Sequence, residues 1–173
     1  MSEKTKDPVP QGKYVPATRG GSLIFTAGMT PRKDGVLQFS GKVEAGEPLE
    51  KYRDAARLAA ANALTAARNR LEPGEKIASV LSMTVYVNAG EGFTAHSKIA
   101  DFASESLRDE LGEPALAARP PIGLPSPPPP PPVHAQLLRT AHPQPPTSRP
   151  DAPPPPTTPP PSRARPLPPP SPN

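Results

Sequence analysis

Few residues in this chain are equipped for chemistry. Three histidines, His96, His134 and His142, are the only side chains that titrate near neutral pH without help, and there is no cysteine. No HxxxH or HExxH spacing occurs, so no catalytic metal is expected, and thiolate sites, disulfides and cysteine nucleophiles are excluded. No P-loop, GxGxxG, GxSxG or internal repeat appears either, and no cofactor is expected. Two residues then stand out. Arg119 closes the sequence AAR, and its guanidinium offers two parallel donors that match a carboxylate. His134 sits in PVHAQLL, and a neutral imidazole can act as a base near pH 7. Each also has a plain alternative: a solvated surface arginine, and a structural strand histidine.

The elements that must position them lie in the first two thirds of the chain. Of the 32 prolines, 25 fall after residue 118. Charge divides the same way: residues 1–118 carry 15 basic and 15 acidic side chains, so the formal +4 belongs wholly to the remainder. A neutral domain with a basic tail gives no sign of a nucleic-acid-binding face, and no nucleic-acid partner is expected. No apolar run approaches the ~20 residues of a membrane span, and the polar start MSEKTKDPVPQGKY has no signal-peptide core. A soluble cytoplasmic protein without a membrane partner is expected.

Ser22–Met29 (SLIFTAGM) reads as a strand, and Asp34-Gly35 is a tight-turn signal that should return Val36–Phe39 as a hairpin partner. Residues 49–71 are rich in Ala, Leu, Arg and Glu. Ala56, Ala60, Ala63, Ala67 and Leu71 form one apolar stripe at helical spacing, ended by Pro73-Gly74. IASVLSMTVYV, residues 77–87, alternates as a strand with Leu81, Met83, Val85 and Val87 inward. A second helix is expected over 94–111, with Ile99, Phe102, Ala103, Leu107 and Leu111 inward and Gly112 as its cap. IGL and VHAQLL then supply two short strands. The order predicts an α+β sheet with two helices on one face. Nothing in so short a chain covers the other face, so oligomerisation is the simplest physical solution. From residue 141 on, large apolar side chains are nearly absent, and a disordered tail over 141–173 is expected. Such text also arises from a shifted reading frame in a GC-rich gene. Deleting the tail should leave the melting temperature within about a degree or two.

GKYVPATRGGSLIFTAGMTPRKDG, NAL, VLSMTVYVNAGEGF, AAR and PVHAQLL, in that order, resemble the Rid family, also called YjgF or endoribonuclease L-PSP. The nearest branch is the longer one labelled "putative endoribonuclease". The resemblance spans residues 8–140. It implies a chorismate-mutase-like (YjgF-like) domain that assembles as a homotrimeric barrel, with sites in the clefts between subunits. Active members hydrolyse enamines and imines of 2-amino acids to 2-keto acids and ammonia. On this alignment Arg119 is the carboxylate clamp, Tyr14 lines the cleft mouth and Gly28 follows the first strand, where a missing side chain permits close approach. Pro128 and Pro132 fall on the two prolines of the loop between the last strands, so the run Pro127–Pro132 reads as that loop and not as the domain's end.

This sequence also departs from the pattern. His134 stands where active members carry a water-handling glutamate. Ala27, Met29, Ser97 and Pro121 replace residues that are polar or small elsewhere. The expected function is therefore a deaminase acting on small imino acids. The alternatives are a trimeric carboxylate-binding protein without turnover and, resting on the family label alone, an endoribonuclease.

Overall fold

A computed structural model describes residues 6–125 and 131–143. Of the disorder expected over 141–173, residues 144–173 lie outside the described residues, as does most of the proline run, whereas 141–143 are paired strand and not disordered. Seven strands and two helices appear in the order β1 (Ala17–Gly20), β2 (Leu23–Thr26), β3 (Arg32–Lys33), β4 (Val36–Leu37), α1 (Arg53–Arg68), β5 (Glu75–Asn88), α2 (His96–Leu111), β6 (Pro121–Leu124) and β7 (Val133–Pro143). Five of the strands make one sheet in the order β1-β2-β7-β5-β6, and only the β5–β6 pair is parallel. The mixed α+β layering is therefore as expected.

β3 and β4 form a separate hairpin. Asp34 (φ 51°) and Gly35 (φ 80°) both take the left-handed conformation of the expected tight turn. The α1 stripe is almost wholly alanine. Ala56, Ala59, Ala60, Ala63 and Ala67 are buried with Leu64, and these short side chains let the helix lie close upon β7. α2 buries Ile99, Ala100, Phe102, Ala103 and Leu107 beside it. Arg57–Asp109 (2.9 Å) and Arg68–Glu110 (3.2 Å) link the helices at the surface, where such pairs contribute little. At the far edge Arg19 of β1 grips Glu75 of β5 with both terminal nitrogens. That hydrogen-bonding arginine, helped by the Glu72 N–H, holds the Glu75 carboxyl down at about 2.

Two differences from the sequence reading have clear causes. β5 is bulged between Ile77 and Ser79 and again between Val80 and Ser82. An extra residue reverses the alternation, so Val80 is buried where Leu81 was expected, and Leu81 is 43% exposed. β7 does not stop at Leu138 but pairs with β5 as far as Pro143 opposite Glu75, with Ala141 buried. Cutting at Thr140 would remove paired strand, so a deletion that spares the sheet must begin after Pro143.

The helix-facing side of β7 reads Val133, Ala135, Leu137, Arg139, Ala141, all buried. Arg139 is the anomaly. It has no exposed surface, and none of its three guanidinium nitrogens has a hydrogen-bond partner among the described residues. Burial, with nearby Arg68 adding repulsion, pulls it down to about 9. An uncompensated buried cation is costly. Arg139→Met, similar in length and apolar, should stabilise the fold by about 1–4 kcal/mol in urea unfolding, by analogy with buried charges replaced by apolar groups. Burial thus makes the folded arginine a weaker base than the unfolded one, and the sign with pH follows. Below about 9 the arginine is charged in both states and the penalty is complete; above it the folded state sheds the proton first and the penalty fades. The stability gap between Arg139→Met and the parent should therefore narrow from pH 8 to pH 10.5. A variant no more stable than the parent at pH 8 would show that this cation is compensated.

Candidate functional site

Arg119 enters the structure just before β6. Ala118 accepts a hydrogen bond from the Met83 N–H (3.0 Å), and Pro121 pairs with Val85, which fixes the arginine on the helix side of the sheet. Its side chain reaches α2. Nη1 donates to Ser104 Oγ (2.9 Å), while Nη2 donates to Asp101 Oδ1 (2.7 Å) and, at 3.4 Å, to the Ser97 carbonyl. Beside it lies an open hollow of about 460 Å³ lined by Asp101, Ser104, Glu105, Arg108, Leu116, Ala117 and Arg119. The hollow thus holds two guanidinium and two carboxylate side chains, and its arginine nearest β6 is already engaged by a carboxylate.

His134 is elsewhere. It is the second residue of β7 and faces away from the helices, since its neighbours Val133 and Ala135 are the buried ones. It pairs in register with Tyr86, which pairs in turn with Ile122, so the three form a row on the face away from the helices. The ring is half-buried, and that burial lowers its affinity for a proton below the usual imidazole value. The same face carries Phe25 (45% exposed) and Leu138, together with a Tyr86–Gln136 hydrogen bond of 3.2 Å.

Gly28 lies near His134. The next residue, Met29, exchanges two backbone hydrogen bonds with Ala135 (2.8 and 2.9 Å), so Gly28 and His134 each sit one residue from the same bridge. A side-chain carbon at Gly28 would meet nothing within 4 Å. Tyr14 is exposed on the segment entering β1, its hydroxyl accepting from the Gln11 N–H at 3.2 Å. The structure therefore separates the four candidates. Tyr14, Gly28 and His134 belong to the β1–β2–β7 side. Arg119 lies beyond β5, on the opposite sheet face from His134, two strands across from it and level with Met83 where His134 is level with Tyr86.

Of the departing residues, Met29 is buried in the core, where a glutamine would be costly. Ser97 contributes its carbonyl to Arg119, and Pro121 starts an edge strand, where proline is tolerated. Asp101 and Ser104 were missed by sequence reasoning. Their signal is a polar stripe at i, i+4 and i+7 (Ser97, Asp101, Ser104) on a helix whose other face is apolar, which ordinarily marks only a solvated surface. Among the described residues no group of three or more His, Asp or Glu could hold a metal ion, and no helix is long and apolar enough to cross a membrane.

No protein-family model matches the chain, and no curated protein matches it. Solved structures do. The protein Atu1372 of unknown function from Agrobacterium tumefaciens is 27% identical over 76% of this chain and 85% of its own, with a TM-score of 0.66. A "putative endoribonuclease" from Shewanella oneidensis is 24% identical over 80% and 91%, TM-score 0.70. Escherichia coli TdcF, solved with bound serine, is 19% identical over 78% and 92%, TM-score 0.53. The YjgF gene product of E. coli aligns over the same shares at 18% identity and the same TM-score. The chain has the Rid (YjgF/L-PSP) fold.

Proposed function

We propose that this chain is a Rid-type deaminase that forms homotrimers and hydrolyses 2-imino and 2-enamino acids to 2-keto acids and ammonia. The observation that carries the reading is the separation of the candidates into two half-sites. Arg119, with its hollow, lies on one side of the chain. His134, Gly28 and Tyr14 lie on the other, next to a sheet face that no helix covers among the described residues. One chain cannot bring the halves together, whereas a cyclic arrangement can place the Arg119 edge of one copy against the His134 face of the next. The open space at Gly28 leaves room for a neighbour's backbone or a ligand.

In such a cleft the arginine holds the substrate carboxylate, and water adds through oxygen to the imine carbon. His134 passes a proton from that water to the nitrogen, giving a carbinolamine; a second proton, from the carbinolamine hydroxyl, then reaches the nitrogen, which leaves as ammonia while the carbonyl of the 2-keto acid forms. An enamine must first take a proton at carbon 3 to become the imine. Burial favours neutral His134, the form a base requires. TdcF was solved with serine, a small 2-substituted carboxylate of the size this reading requires. Carboxylate binding without turnover is a second reading, favoured by the absence of a glutamate at position 134 and by the ion pair already on Arg119. An endoribonuclease has less behind it, because residues 1–118 carry no net charge to attract a phosphate backbone.

Light scattering on the full chain should give three times the monomer mass; a monomer at micromolar concentration would remove the shared cleft. Arg119→Ala should weaken pyruvate binding by roughly 2–5 kcal/mol, as for truncation of one partner in a desolvated charge pair, and leave the trimer intact. Ammonia release from 2-aminoacrylate generated in situ tests turnover. Its kcat/KM should fall on an acid limb below the ordinary imidazole value, since the folded histidine must lose its proton to act. Co-assembling Arg119→Ala with inactive His134→Ala subunits should restore activity in roughly a quarter of randomly formed clefts, because each cleft draws on two chains. No restoration, with both variants trimeric, would place the two residues in one subunit's site. No ammonia release by the parent would leave the binding reading.

A further inference from the structure

We propose that Asp101 is an internal stand-in for the ligand's carboxylate. It keeps Arg119 in a self-paired state that an incoming 2-keto or 2-imino acid must displace. The inference rests on the reading of Arg119 as the carboxylate clamp. A carboxylate bound in bidentate fashion needs two parallel N–H groups of one guanidinium. Here both terminal nitrogens are spoken for by one face of α2. Nη2 is on Asp101 Oδ1 at 2.7 Å and Nη1 is on Ser104 Oγ at 2.9 Å. Together the two acceptors imitate the two oxygens of a ligand.

The partners are unequally sheltered. The Arg119 side chain is 17% exposed and that of Asp101 46%. The arginine is held between β6 and the helix, while the aspartate is half in water and can swing out to be solvated. Glu105 and Arg108 line the same hollow one and two turns further along α2. A leaving Asp101 therefore moves into a polar setting, and Arg108 adds a second positive charge to draw an anion in. Partly exposed ion pairs contribute little, so displacement tempers affinity without abolishing it, by about two- to fivefold. Asp101 thus sets how much a ligand must offer besides its carboxylate, and simple carboxylates gain most when it is removed.

A purely structural ion pair pinning α2 to β6 would give a different result. The test uses the full chain, its Asp101→Asn and Asp101→Ala variants, and two readouts. Phenylglyoxal labelling of Arg119, followed by peptide mass, reports the occupancy of the guanidinium without any ligand. Calorimetric titration with pyruvate reports its competition. Both variants should label about two- to fivefold faster than the parent and bind pyruvate about two- to fivefold more tightly, with pyruvate protecting Arg119 in all three proteins. Unchanged labelling, or lower stability with unchanged pyruvate affinity, overturns the proposal while leaving Arg119 as the clamp. If pyruvate protects Arg119 in none of the proteins although labelling accelerates in the variants, the clamp reading fails and the displacement proposal falls with it.

Discussion

The ladder between β5 and β7 holds this molecule together. Its paired residues run from Glu75 and Pro143 at one end to Val87 and Val133 at the other, and β7 also carries β2, and through it β1, on its far side. Without β7 the sheet falls into a β1–β2 hairpin and a β5–β6 pair that share no strand pairing, tied at one end by Arg19 and Glu75. α1 lies over β7 and packs its alanines there. The last described strand is therefore central in space, so closure waits for residues that follow the proline run. Pro132, the last residue of the run, is buried, and its carbonyl accepts from the Asn88 N–H at 2.9 Å. The run thus ends on the ladder's edge, where a residue with no donor of its own can still accept.

The same ladder decides where chemistry can occur. Because side chains alternate along β7, filling the helix side with Val133, Ala135 and Leu137 puts His134 on the open face. Because β6 runs parallel to β5 with Pro121 opposite buried Val85, Arg119 is turned the other way, toward α2. The two residues are fifteen apart in sequence and could have met had the connection been a tight hairpin. Instead β5 lies between them. This is the physical reason that a site using both must draw on more than one chain.

Much of this was legible in the sequence, and the parts that were not share a cause. β5, the two helices, the Asp34-Gly35 turn and the strand after the proline run all carry periodic or turn signals of local origin. β1 was missed because ATRG has neither alternation nor β-branched bulk beyond Thr18; its place comes from pairing with β2 and from Arg19 holding Glu75. Leu81 was assigned to the wrong face because a bulge leaves no trace in the hydrophobic pattern. β7 read as ending at Leu138 since the next inward residue is an arginine, which breaks the apolar alternation while the backbone pairing continues. At the candidate site the sequence supplied Arg119, His134, Gly28 and Tyr14 as candidates through their resemblance to a family pattern. It could not supply the faces they occupy, nor the partner on α2, since these depend on how β6 is placed against a helix far from it in sequence.

Two arginines from the last third of the domain show how unevenly the fold compensates charge. Arg119 keeps some exposure and finds a carboxylate, a hydroxyl and a carbonyl, all on one helix. Arg139, twenty residues later, is fully enclosed and finds nothing among the described residues. The difference is one of depth. At the sheet edge a guanidinium can reach polar atoms along α2, whereas in the central strand it meets the alanine face of α1, which offers none. A partnerless buried charge lowers the cost of local opening, and in β7 that opening would begin at the centre of the sheet. β7 also carries His134 near its start, so any loosening of the strand reaches the histidine half-site directly. The Arg119 half-site sits on β6 and α2, a neighbour of β5 and one strand removed from that weakness. The two halves of the proposed cleft thus rest on parts of the fold with unequal resistance to opening, and the half that would handle water rests on the weaker.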